Sequence, residues 1–196
     1  MKYGGSRGFT IVELLIVIVI IGILAVLVIT AYNGIQVRAQ NTQRIAAAKE
    51  WQKLLNAYVN QEGKYPLSTG NACLGEGYPT DWDANPDQDC HRLLSTTRHV
   101  SSALNNELKK LVSSLPSFPK QPVVLSGGDL GLGLSYQTGN TVDGEANRII
   151  VHFWLEGLNQ SCGFPILTTS GNSTTAAYTN GNYSGATLCT FAVNTP

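Results

Sequence analysis

From Leu14 to Ile29 the chain carries no polar side chain, and after Tyr32 the pattern turns periodic. Extended by Phe9–Val12 and Thr30–Tyr32, the unbroken run approaches the length a helix needs to cross a bilayer core. Beyond it, Ile35, Ala39, Thr42, Ile45, Ala48, Trp51, Leu55, Tyr58 and Val59 recur every three or four residues, which predicts one stripe of a helix. Arg38, Arg44, Lys49, Glu50 and Lys53 fall mainly off that stripe. No proline precedes Pro66, so a single helix from about Thr10 to Asn60 is predicted, roughly 75 Å long at its regular rise. Gly22, Thr30 and Gly34 are its weak points. A helix of that length exceeds what a small core needs. It suits one half packed on a head and the other on something else.

Glu62-Gly63-Lys64-Tyr65-Pro66 supplies a glycine stop with proline close behind. Residues 67–90 read as loop. A second helix is predicted over His91–Leu115, with Val100, Leu104, Leu108, Leu111 and Leu115 on one face and Pro116 ending it. Pro116, Pro119 and Pro122 form a stiff link. Strands are predicted at Val123–Leu125, Gly133–Thr138, Arg148–Leu155 and Ala186–Val193. Asp143-Gly144 serves as a hairpin turn between the second and third of these, and Asn180-Gly181 is another turn signal. The class is α+β: a long N-terminal helix packed on an antiparallel sheet, with a second helix.

Composition narrows the setting. The chain has 196 residues, 13 basic and 13 acidic, with charged residues at only 13%. No basic cluster resembles a nucleic-acid footprint. A weakly charged chain rich in Gly, Ser, Thr and Asn fits a domain outside the cytoplasm. Cys73, Cys90, Cys162 and Cys189 read as two disulfides formed there. Four cysteines allow three connectivities; the sequential one, Cys73–Cys90 with Cys162–Cys189, is favoured, each loop contributing about 3 kcal/mol. The apolar run is too long for a secretory signal, and no small-residue cleavage site follows it. Lys2 and Arg7 precede the run, which keeps the N-terminus in the cytoplasm. One residue does not fit a plain anchor. Glu13 stands at the mouth of the run, and a carboxylate held deep there costs about 2.5–3.5 kcal/mol.

The order Gly8-Phe9-Thr10-x-x-Glu13, after a short basic leader and before an unbroken apolar run, resembles the type IV pilin-like proteins. These comprise type IV pilins and the pseudopilins of type II secretion and DNA uptake. Gly63-Lys64-Tyr65-Pro66 after the long helix extends the resemblance to about residue 66. It implies residues 1–8 as leader, 9–31 as membrane and filament-core half, 32–62 as the half packed on the head, and 63–196 as the head. It implies cleavage by a prepilin peptidase between Gly8 and Phe9, and methylation of the Phe9 amine. Removing Lys2 and Arg7 leaves 11 basic side chains (13 less 2) against 13 acidic. The new ammonium of Phe9 then faces Glu13 of a neighbouring subunit and sets the stagger, since a buried carboxylate is tolerated when paired. The implied partners are copies of the chain, the peptidase, the pilus assembly machinery, and membrane lipid before assembly. The implied location is the inner membrane, then a surface pilus. Many members carry helix-kinking prolines where this chain has none. The Cys162–Cys189 loop is similar to the region major pilins expose on the filament.

Other chemistry is sparse. Asp81, Asp83, Asn85, Asp87 and Asp89 alternate as oxygen ligands do in a calcium loop. Pro86 replaces the turn glycine and Arg92 the closing glutamate, so a solvated acidic turn is preferred to a calcium site, and no cofactor is expected. His91, His99 and His152 have no metal-ligand spacing. Gly127-Gly128-x-x-Gly131-x-Gly133 lacks the lysine and helix of a phosphate cradle. No enzyme is expected. Beside a pilus subunit stand two alternatives: a minor pilin or pseudopilin, and a signal-anchored binding protein that never polymerises.

Overall fold

The computed structural model describes residues 8, 10–67, 70–78, 89–93, 96–119, 131–136, 139–171, 181–183 and 185–196. One helix, α1 (Ile11–Glu62), accounts for 52 of them. It ends as the glycine stop requires: Gly63 takes φ 61°, and its N–H donates to Val59 O at 2.9 Å. Contacts divide the chain into two units, Met1–Ala39 and Gln40–Pro196.

The first unit is the apolar stretch of α1, whose large side chains from Leu14 to Ile29 are each 49–65% exposed. The second unit is built on a five-stranded antiparallel sheet in the order β1 (Asn71–Leu74), β4 (Leu132–Tyr136), β7 (Ile149–Glu156), β10 (Ala186–Ala192), β9 (Gly181–Tyr183). Strand β7 is apolar without alternation because both faces are covered. Ile149, Val151, Phe153 and Leu155 meet Trp51, Leu55, Tyr58 and Val59 of α1 in one core. Ile150 and Trp154 point the other way, against Ala192, Leu188 and Leu167. A two-stranded hairpin, β2 (Asp89–Leu93) with β3 (Thr96–His99), lies outside this sheet. So does a small sheet of β5 (Asn140–Val142), β6 (Glu145–Ala146) and β8 (Thr169–Gly171).

Four sequence expectations need correction. Residues 67–90, expected as loop, hold β1, which pairs with β4, and the start of β2. The helix predicted over His91–Leu115 is only α2 (Ser102–Leu108), capped by the Ser101 hydroxyl, which accepts from Leu104 N–H at 3.2 Å. Its earlier part forms the hairpin. Cys90 is tied to Cys73 in β1, and the Thr-rich β3 suits a strand better than a helix. The Asp143-Gly144 turn exists, with φ of 50° and 83°, but it joins β5 to β6 rather than β4 to β7. Arg44 is not off the packed stripe: it is 2% exposed. Its guanidinium lies 5.4 Å from the Phe118 ring centroid and donates to Trp154 O at 3.4 Å. Conversely, Ile35 is 62% exposed. Burial begins at Asn41. The strand expected at Val123–Leu125 lies outside the described residues.

Candidate functional site

The sequence points to the entrance of α1, and there the backbone begins with unpaired donors that something must satisfy. Thr10 and Glu13 satisfy them reciprocally. Thr10 N–H and Thr10 Oγ1 each donate to Glu13 Oε2 at 2.8 Å, and Glu13 N–H donates to Thr10 Oγ1 at 3.2 Å. This is a capping box, Thr at N-cap with Glu at N3. The Thr10-x-x-Glu13 spacing already carried that signal, and the sequence reading passed over it. Glu13 stays exposed on the helix, and its carboxylate retains capacity to accept from further donors. Gly8 is exposed, with nothing within 4 Å of an added Cβ. Phe9 lies outside the described residues.

Behind this entrance the apolar side chains point outward around the whole helix. Among the described residues, α1 is the one helix long and apolar enough to cross a membrane, and no part of its most apolar window is buried. Such a surface is stable in water only when covered, by lipid or by other apolar helices.

The other expected sites are dispersed. Cys73 bonds to Cys90 and Cys162 to Cys189. The first ties β1 to β2 and the second ties the segment after β7 to β10. Of the weak calcium set, Asp81, Asp83, Asn85 and Asp87 lie outside the described residues, and Asp89 opens β2. Among the described residues no group of three potential metal ligands occurs. His152 is buried on β7, 1% exposed. Gly131 has a packing reason: a Cβ there would sit 2.5 Å from the Tyr78 hydroxyl oxygen and 2.6 Å from its ring. That ring is itself anchored by a hydrogen bond to Leu74 O at 2.7 Å.

Residues 4–29 match the family model for the prokaryotic N-terminal methylation motif. That span holds Gly8, Phe9, Glu13 and the apolar run together. Over these residues the chain is similar to type IV pilins. The chain is 32% identical over 106 residues to the type IV major pilin protein PilE1 of Neisseria gonorrhoeae, covering 53% of this chain and 64% of that one. It is 33% identical over 106 residues to a fimbrial protein of Neisseria meningitidis, covering 53% and 61%. It is 41% identical over 76 residues to the type IV major fimbrial protein FimA of Dichelobacter nodosus, covering 39% and 46%. The matches therefore span less than two thirds of those relatives. No solved structure matches the chain.

Proposed function

We propose that this chain is a structural subunit of a type IV pilus-like filament. In this reading a prepilin peptidase cuts between Gly8 and Phe9 and the new Phe9 amine is methylated. Residues 9–31 sit in the inner membrane with the N-terminus inside, then move into the filament core, while residues 32–62 carry the head formed by 63–196. The assembly machinery drives that transfer, and the filament reaches the cell surface. One observation carries the reading. The methylation motif coincides with a helix whose apolar side chains are exposed all round. Packing copies of that helix together buries, in gross terms, tens of kcal/mol, at roughly 1.5–3 kcal/mol per large side chain. The Phe9 ammonium of one copy would supply Glu13 of the next with its counter-charge.

Mass spectrometry of the chain from cells that express the peptidase, with imaging of surface fibres, tests this. The expected species starts at a methylated Phe9 and is found in fibres; an intact Met1–Gly8 segment in such cells would falsify it. The capping box favours a second reading. Because Glu13 already has a task within its own helix, a signal-anchored protein that never polymerises could carry the same residue. Processed subunits that remain monomeric in membranes would support that reading instead.

A further inference from the structure

Where α1 ends, the head holds a cavity of about 440 Å³ lined by Tyr58, Lys64, Tyr65, Pro66, Glu107 and Tyr136. Its walls are unusual for a surface hollow. Tyr65 and Tyr136 stand edge to face, centroids 6.0 Å apart with ring planes at 75°. Both rings are half-buried. The Tyr65 hydroxyl is buried beside the Ile149 backbone, so this residue offers the cavity a ring and not a hydroxyl. Glu107 is fixed at both oxygens: the Tyr58 hydroxyl donates to Oε2 at 2.8 Å and Lys110 Nζ to Oε1 at 2.7 Å. Those two bonds also hold its carboxyl below the usual range, so it is an acceptor at neutral pH. Lys64, exposed at the rim, supplies donors.

We propose that this cavity binds a saccharide, a pyranose ring with its C–H face on the tyrosines and its hydroxyls on Glu107 and Lys64. An apolar aromatic wall with a few fixed polar groups is the usual make-up of a small-ligand site, and the volume is within the usual range. Lys64 supplies donors and Glu107 an acceptor, with Pro196 also on the lining, so groups that donate and accept both face the cavity, which suits a polyhydroxylated ligand. A proline-rich peptide would use the rings but make no use of the Lys64 donors or of the lone pairs left on Glu107. This site goes beyond the filament reading and does not depend on assembly.

Saturation-transfer difference NMR on the full-length chain in detergent micelles tests it, with methyl glucopyranoside, methyl galactopyranoside and methyl N-acetylglucosaminide as probes. Saturation of the ring C–H protons of at least one probe is expected. Glu107→Gln and Lys64→Ala should each weaken that binding about tenfold, the loss of one hydrogen bond to a charged group. Lys64→Ala should keep the melting transition because Lys64 is exposed, and Glu107→Gln should stay folded at the temperature of the measurement, since glutamine still accepts from Tyr58. Tyr136→Leu should abolish the signal. Silence from all three probes, or equal signals from the unaltered chain and the two polar variants, overturns the proposal. So does a signal seen only with a proline-rich peptide.

Discussion

At the scale of single residues, Glu13 has two candidate tasks that chemistry can separate. Its carboxylate accepts the Thr10 N–H and hydroxyl within one chain, which glutamine at the same position can also do. Its negative charge is what a neighbouring ammonium would need, and glutamine lacks it. Glu13→Gln should therefore keep the helix start while stopping filament growth. Glu13→Ala should lose both, with the first turn of α1 fraying. Amide exchange at residues 10–14 in micelles reads the cap, and electron microscopy of cell surfaces reads the fibres. Abundant normal fibres from the Gln variant would remove the charge-pairing role and leave the cap alone. The same scale shows why some residues escape sequence reading. Glu13 is legible because its spacing from Thr10 and its place before the apolar run are both local. Arg44 is not: its long stem lets a charged residue join a buried face, and its neighbours Phe118 and Trp154 lie far along the chain.

Between elements, two of the polar contacts that join α1 to the head can be tested separately. The first is Asn41, 5% exposed, whose amide behaves like one more residue of strand pairing. Its Nδ2 donates to Glu156 O at 2.9 Å and its Oδ1 accepts from Glu156 N–H at 3.0 Å, just where β7 ends. Asn41→Ala should cost the head about 2 kcal/mol by leaving both backbone groups short of partners. Lys53→Ala, on the exposed face, should change stability by less than about 0.5 kcal/mol. If thermal melts place the two variants together, the attachment carries no weight. The second attachment is Tyr58–Glu107, between α1 and α2. Lys110 and the Tyr58 hydroxyl hold the Glu107 carboxyl below 4.5. The stability this gives is complete above 4.5 and is lost as the pH falls through the lowered value. Burial, then Glu107, pushes Tyr58 up to about 12 from 10. Its contribution is complete below pH 10 and lost as the pH rises toward 12. Melting temperature should therefore hold a plateau and fall at both ends. Glu107→Gln should flatten the acid limb; an unchanged limb would mean other carboxylates set it. Elements with a strong local pattern, α1 with its glycine stop and the run Ile149–Glu156, were legible. The β2–β3 hairpin was not, because it rests on the disulfide to β1 and on pairing, which periodicity in one segment does not record.

Across the whole molecule, the division of labour follows from where apolar surface ends up. The buried side chains of the described core begin at Asn41 and lie in the second unit. The first unit exposes Leu14 through Ile29 and contributes nothing to that core. An uninterrupted apolar run is readable as needing cover, but a single chain does not say whether lipid or its own copies provide it. The distinction gives a direct experiment. A chain beginning at Val37 keeps one turn of α1 ahead of Asn41, both disulfides, and the Trp51, Leu55 and Tyr58 contacts with β7. Made in an oxidising compartment, it should be soluble without detergent and monomeric in sedimentation. It should unfold in the same cooperative transition as the head of the full-length chain. It should neither enter nor block fibres formed by the unaltered subunit, because it lacks the helix that joins copies. If this truncated chain instead forms stable oligomers, or joins the fibres, contacts between heads hold the assembly and the apolar helix is mainly an anchor. If it fails to fold, the first half of α1 supports the head in a way that burial does not reveal. The expected result, a stable head that stays apart, would leave assembly to the helix and to Glu13 at its entrance.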